Sequence, residues 1–289
     1  MKYYHQPVLL KESVENFLTD KNGVYIDATF GGGGHSSYIL ENLDEKAMLI
    51  AFDQDKEAVM KNCIKDPRLH LFHANFIHVN EILKKKNIKQ VTGILLDLGY
   101  SSFQIDNPSR GFSNRYDCIL DMRMNQENIY SAQDIINNYS KRKLSKIFKE
   151  YGDFKNASRI ADRIMKKRNK KRIITSFDLM NIFYINGSFS KRKRFFSRLF
   201  QSIRIEVNDE INILKSFLLK SSTILLKGGR IAVISYHSIE DRIAKLFFKI
   251  KNQDIPFRMI HKKVIKPKIK EIKTNSRSRS AKLRIAEII

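Results

Sequence analysis

The stretch from Val24 to Ser36, VYIDATFGGGGHS, limits the fold more than any other part of the chain. Val24, Tyr25 and Ile26 are the β-branched and aromatic residues of a buried strand; four successive glycines follow, and HSSYILENL then reads as a helix. Glycine suits the junction because a backbone without Cβ accepts positive φ and lets a ligand come close, while the next helix points free N–H groups toward it. A second acidic strand end, MLIAFDQD, puts Asp53 about 20 residues beyond the glycines, where such folds hydrogen-bond a ribose diol. Taken alone, a glycine turn is also a plain connector of strand and helix. With Asp53, it describes a site for a cofactor that contains a nucleoside.

Spacing narrows the choice of nucleoside. The dinucleotide fingerprint G-x-G-x-x-G fails, because Gly31 and Gly33 would require a third glycine where Ser36 stands, and no G-K-[ST] follows the turn. Asp27 just before the glycines, with Asp53 ending the next strand, is instead the pattern of an S-adenosylmethionine (SAM) site.

The order of elements extends this reading. HQPVLLKES leads into Ser13, Val14, Phe17 and Leu18 at helical spacing, a helix packed near the sheet. After Asp53 come an amphipathic helix through Ala58, Val59 and Cys63, a strand in LHLFHANF ending near Asn75 and Phe76, and a helix through Ile82 and Leu83. VTGILLDLGYSS then supplies a strand ending on Asp97. This alternation predicts a doubly wound parallel α/β sheet, whose ligands sit at the carboxyl ends of strands, where Asp27, Asp53, Asn75 and Asp97 fall.

From about Phe112 the pattern becomes helical. Leu144, Ile147, Phe148 and Tyr151 form one stripe, with Ser140 as its cap and Gly152 as the C′ residue. Ala157, Ile160, Ala161, Ile164 and Met165 form another, and Thr175 with Asp178 resembles a capping pair. KKRNKKR (Lys166 to Arg172) and SKRKR (Ser190 to Arg194) give this insertion two basic faces. FFSRLFQSIRIEVNDEINILKSFL reads as one long helix, Gly228 and Gly229 as a turn, and RIAVISYHS as a buried strand. Polar groups follow its end: Ser235, His237, Ser238, Glu240, Asp241 and Arg242. IPFRMIHKKVI and AKLRIAEII read as a closing hairpin. The predicted organisation is residues 1–111 with 205–289 as a discontinuous cofactor-binding domain, and 112–204 as an inserted all-helical domain.

Composition bears on partners. Lys and Arg number 54 against 30 acidic residues, a formal charge of +24, which attracts a polyanion from a distance, although abundant lysine also solvates a surface without binding anything. Cys63 and Cys118 have neither a disulfide framework nor a metal-ligand spacing, so a reducing cytoplasmic setting and no metal are expected. No run of about 18 apolar residues occurs, so no membrane association is expected.

HQPVLL, DATFGGGGHS, FDQD, DLGYSSFQID, RGFS, LDMRM, FQSIRIEVNDE, YHSIEDR and NSRSRSAKLR, in that order over nearly the whole chain, resemble the RsmH (MraW) family of 16S rRNA cytosine-N4 methyltransferases. The resemblance implies a SAM-dependent enzyme with a Rossmann-like class I methyltransferase sheet and an inserted helical substrate-recognition domain. Its implied substrate is one cytidine in the decoding region of 16S rRNA within the small ribosomal subunit, with no obligate protein partner. The implied cofactor contacts are Gly33, Gly34, His35, Asp53, Phe76, Asp97 and Gln104. YHSIEDR stands where the family usually has FHSLEDR, and FQSIRI where it has FQALRI; the tyrosine hydroxyl needs a partner if buried. Residues Met165 to Arg198 match weakly.

The residues bound the chemistry too. Transfer from a sulfonium is an in-line displacement that requires a positioned acceptor and little water. A cytosine amine is a poor nucleophile, so a hydrogen-bond acceptor on its protons helps. Asp97 is the expected catalytic positioner, with Tyr100, Ser101 and Ser102 lining the base pocket. C5 methylation would need a cysteine nucleophile, and neither cysteine has a suitable setting. His237, Asp241 and Arg242 are either a base- or phosphate-side cluster or an ordinary helix start. A non-catalytic RNA-binding scaffold and a DNA amino methyltransferase are the competing readings; the absence of an N-P-P-Y-type sequence weighs against the DNA enzyme.

Overall fold

The computed structural model describes residues 7–250 and 257–289. The chain forms two compact units: Met1–Gly99 with Ile211–Ile289, and Tyr100–Glu210. The second unit thus starts earlier and ends later than the 112–204 span expected from the helical pattern.

The first unit is built on seven strands: β1 (Val24–Asp27), β2 (Met48–Asp53), β3 (Leu69–His73), β4 (Val91–Asp97), β5 (Leu225–Ser235), β6 (Phe257–Met259) and β7 (Lys282–Ile288). Their order across the sheet is β3-β2-β1-β4-β5-β7-β6. β1 to β5 are parallel, whereas β7 runs antiparallel to both β5 and β6. This is a Rossmann-like sheet of the class I methyltransferase kind. Strand order reverses between β1 and β4, the switch point at which open α/β sheets leave a crevice beyond their carboxyl ends.

Near-continuous apolar strands make sense because helices cover both faces, and alternate residues serve opposite layers. Tyr25, Leu49, Leu95, Ala232 and Ile234 pack with Val14, Phe17, Ile39 and Leu40 on one side. Ile26, Ile50, Ile94, Leu96 and Val233 pack with Leu214, Phe217, Leu218 and Phe247 on the other.

Several local expectations need correction. Gly228 and Gly229 lie inside β5 instead of forming a turn before it; Gly228 has φ 80°, and the β4–β5 register slips between Val91↔Leu225 and Gly93↔Arg230. The long helix is two helices, Phe189–Val207 and Glu210–Ile224, separated at Asn208 and Asp209, the latter with φ 48°. Cys63 is exposed and follows the short helix Lys56–Met60 instead of lying in it. In the closing hairpin, Ile255 and Pro256 lie outside the described residues, as do His5 and Gln6 of the first motif.

The second unit has its own apolar centre. Leu144, Ile147 and Phe148 of the helix Lys141–Glu150 pack with Ile160, Ala161 and Ile164 of Ala157–Arg168 and with Leu199 and Ile203 of Phe189–Val207. Ser140 caps as expected, accepting from the Lys143 N–H, and Thr175 with Asp178 forms a complete capping box. Gly152 follows the first of these helices, but the left-handed residue is Asp153, at φ 51°. Gly152 is instead demanded by space, since a Cβ there would lie 2.6 Å from the Phe154 ring and 2.8 Å from the Phe148 carbonyl oxygen.

Candidate functional site

The carboxyl ends of β1, β2 and β4 bring Asp27, Asp53 and Asp97 around the glycine turn. β1 continues past Asp27 as a thread between its neighbours: Ala28 N–H donates to the Leu95 carbonyl at 2.9 Å and Phe30 N–H to the Phe52 carbonyl at 2.8 Å. The turn then closes with Gly33 N–H on the Phe30 carbonyl at 2.8 Å. Gly33, at φ 76°, caps the helix Gly34–Glu41. A side chain would be strained there, and its Cβ would meet the Phe30 ring at 2.8 Å. The first-turn N–H groups of such a helix have no intrahelical acceptors and face outward.

Each carboxylate is held by the loop chemistry around it. Asp27 is fully buried and accepts from the Ser36 hydroxyl at 2.6 Å and the Thr29 N–H at 3.1 Å. Asp53 accepts the Gly31 N–H at 2.7 Å through Oδ2 and the Asp55 N–H at 2.8 Å through Oδ1. It therefore clasps the glycine turn itself, a role its strand-end position did not reveal. Asp97 accepts the Tyr236 hydroxyl at 2.8 Å, and its backbone N–H donates to Thr29 Oγ1 at 2.7 Å. Its second oxygen lies 3.6 Å from His35 Nδ1.

Burial governs the electrostatics, and the crowding of acids adds to it. Burial pushes Asp53 and Asp97 each up to about 7, and neighbouring carboxylates push the same way: Asp55 and Asp27 on Asp53, Glu240 on Asp97. Burial likewise raises Asp27, against the Ser36 hydrogen bond. It lowers His35, whose ring is buried with Nε2 3.1 Å from the Val8 carbonyl oxygen. A crevice lined by carboxylates with raised pKa values is matched by a cationic ligand, which would restore their charge.

The other expected residues have definite places. Phe76 opens the single-turn helix Phe76–His78 after β3 and is partly buried, its ring 4.8 Å from that of Phe217 in an edge-on contact. Gln104 belongs to the second unit, where its buried side chain accepts the Ser101 N–H at 3.0 Å in a capping box that starts the helix Ser102–Asp106. Glu240, buried, accepts from the N–H groups of Tyr236 and His237 and so fixes the turn after β5. Asp241 accepts from Lys282 at 2.9 Å and Arg284 at 2.7 Å, anchoring its helix to β7. Burial opposes that charge, but the two cations outweigh it and hold the carboxyl below its usual range. Asp241 thus ties its helix to β7, while His237 caps the start of that helix in a capping box with Glu240.

Sequence reasoning missed Thr29, Ser36 and the link from Tyr236 to Asp97. Ser36 had a signal, as the small polar residue ending the glycine run. Tyr236 had one too, as the extra hydroxyl in YHSIEDR.

Comparison with known proteins adds an independent line. A model of the MraW methylase family matches residues 2–289. Ribosomal RNA small subunit methyltransferase H of Karelsulcia muelleri (strain GWSS) is 48% identical, with 99% of each chain covered. The protein of the same name from Flavobacterium psychrophilum is 44% identical over 96% of this chain and 99% of its own. A solved rRNA methylase from Streptococcus thermophilus is a remote likeness, at 12% identity and a TM-score of 0.40 over 97% of this chain and 92% of that one. Matched almost from end to end, and sharing close to half its residues with such a relative, the chain belongs to the MraW methylase family.

Proposed function

We propose that this chain is a SAM-dependent rRNA methyltransferase that modifies the N4 amine of one cytidine in the decoding region of 16S rRNA, acting on the small ribosomal subunit in the cytoplasm. The observation that carries the reading is the cluster of three strand-end carboxylates around an open glycine turn, in a chain whose relatives are named for methylating small-subunit rRNA. SAM carries a sulfonium and an ammonium, the charges such a crevice favours. When bound, it supplies an electrophilic methyl group.

The chain's own residues do the rest. Gly33, Gly34 and His35 offer main-chain groups at the helix start, and Asp53 accepts the ribose hydroxyls with the lone pairs its two backbone bonds leave over. Phe76 covers one face of adenine. Asp97 accepts a hydrogen bond from the acceptor amine and keeps the nitrogen lone pair aimed at the methyl carbon. Among the described residues, no helix is long and apolar enough to cross a membrane. The helical unit supplies RNA recognition through its exposed basic runs.

Purified protein, radiolabelled SAM and small ribosomal subunits test this directly. Label recovered as N4-methylcytidine in 16S rRNA is the expected result. Label confined to DNA or protein, or RNA binding without SAM affinity, would overturn it.

A further inference from the structure

His35 carries more information than a cofactor contact. Its ring is 5% exposed, and its Nε2 faces the Val8 carbonyl oxygen at 3.1 Å. A carbonyl oxygen only accepts, so Nε2 bears the ring proton. Burial disfavours the imidazolium despite the attraction of Asp27. Burial thus favours the neutral ring, in which Nδ1 presents a bare lone pair.

That lone pair faces Oδ2 of Asp97 at 3.6 Å. The carboxyl cannot easily turn away, because Tyr236 donates to its other oxygen and Thr29 holds its backbone N–H. When Asp97 is ionised, two acceptors confront each other; when it is protonated on Oδ2, an approach of a few tenths of an ångström from 3.6 Å turns the contact into a hydrogen bond into the ring. The surrounding groups push the same way. Asp27 at the end of β1 and Glu240 after β5 both repel a negative Asp97, while the Tyr236 hydroxyl alone opposes protonation, with Glu271 beyond it. Asp27 in turn repels a negative Asp53.

We propose that Asp97 and His35 together form the proton acceptor of methyl transfer: Asp97 takes the proton that the methylated amine must lose, and His35, its tautomer set by Val8, holds that proton in place. This rests on the reading of the chain as an amine methyltransferase. The atoms balance. The amine lone pair forms the new N–C bond, and the C–S bond breaks with its electron pair kept by sulfur. The nitrogen then sheds one proton to Asp97 Oδ2. Asp97 is the catalytic residue in this scheme, and His35 is a positioning residue that acts through it.

Two variants pull the carboxyl in opposite directions. His35→Phe removes the acceptor that favours protonated Asp97, so the acid limb of the single-turnover rate with saturating SAM moves to lower pH and the plateau falls about tenfold or more. Tyr236→Phe removes the donor that favours ionised Asp97, so the acid limb moves to higher pH, by about half a unit or more. Profiles that coincide with the wild type, or that shift the same way in both variants, would overturn the proposal. If His35→Phe does not fold, the Tyr236→Phe shift decides alone. A second measurement needs no turnover: in protein labelled with ¹⁵N-histidine at pH 6, His35 Nδ1 should resonate as a hydrogen-bonded acceptor and move to the free-imine position in Asp97→Ala. An unmoved resonance counts against the pair. Wild-type protein that fails to methylate rRNA while passing the NMR test would sink the functional reading and leave the proton pair standing.

Discussion

Ser36 donates its hydroxyl hydrogen to Asp27 at 2.6 Å, tying the helix after the glycine turn to a carboxylate with no exposed surface at the end of β1. The bond favours the charged form of Asp27, against the burial that raises its pKa. Ser36→Ala should therefore cost about 1–3 kcal/mol of stability, with a loss that grows as rising pH ionises Asp27. Urea denaturation between pH 5 and 8 checks this; a loss that stays constant or shrinks as pH rises would contradict it.

Stability should fall as pH rises toward neutrality. Asp53 and Asp97 have folded pKa values of about 7 against an ordinary value of 3.8, so the folded protein binds more protons than the unfolded chain between those limits. The stability these groups contribute at low pH is lost as pH climbs through the folded values. Melting temperature followed from pH 4.5 to 8 should decline more steeply in the wild type than in an Asp53→Asn, Asp97→Asn double variant. Parallel curves would refute the shifts. By the same linkage, a cation that seats in the crevice near pH 6.5 should release protons, which calorimetry in two buffers of different ionisation enthalpy can read.

Within the glycine run, tolerance should differ sharply between neighbours. A Cβ on Gly32 meets nothing within 4 Å, whereas one on Gly34 would lie 2.3 Å from Cγ of Pro7. Gly32→Ala is expected to change stability by less than about 0.5 kcal/mol. Gly34→Ala forces the Pro7 segment away and should cost about 1–3 kcal/mol. Thermal melts of the two variants make the comparison, and equal losses would contradict the packing.

The helical unit depends on one sheltered ion pair. Arg204 reaches Glu210 with two parallel hydrogen bonds of 2.7 and 2.8 Å, both side chains being about nine-tenths buried. Glu210→Ala leaves a guanidinium without its carboxylate and should cost about 3–5 kcal/mol, read from urea unfolding of the full chain. Arg204→Met combined with Glu210→Leu should lose less than the single variant. A double variant as unstable as the single would show that the charge was not the cause.

The basic runs make a separate prediction about RNA. Lys166, Lys167, Lys170 and Lys171, with Lys191 to Arg194, are all exposed. Replacing the four lysines of the first run by glutamine should weaken rRNA binding and lower the slope of log affinity against log salt by roughly 0.7–0.9 for each phosphate no longer neutralised, leaving SAM affinity unchanged. A constant slope would assign them to solvation alone.

Much of the sheet was legible because its signals are local. β-branched runs ending on Asp27, Asp53 and Asp97 mark strands whose burial and direction follow from the alternation with helices. Capping residues such as Ser140 and Thr175 act within a single turn and were equally readable. Gly228 was misread because a turn and a bulge place the same demand for positive φ on the chain, and only pairing with β4 distinguishes them. The break at Asn208 and Asp209 escaped notice because the apolar period continues across it. In the site, residue types were readable but partnerships were not: nothing local links Tyr236 to Asp97, or His35 to Val8.

The division of the sheet by the helical unit sets an order for folding. β4 ends at Asp97 and its partner β5 begins only at Leu225, so during synthesis the centre of the sheet has a bare edge until the intervening chain has emerged. Such an edge is a template for pairing with the wrong chain. The pairing of β4 with β5 is thereby a long-range contact, of the kind that closes late, and damage to it would be felt first in the yield of folded protein.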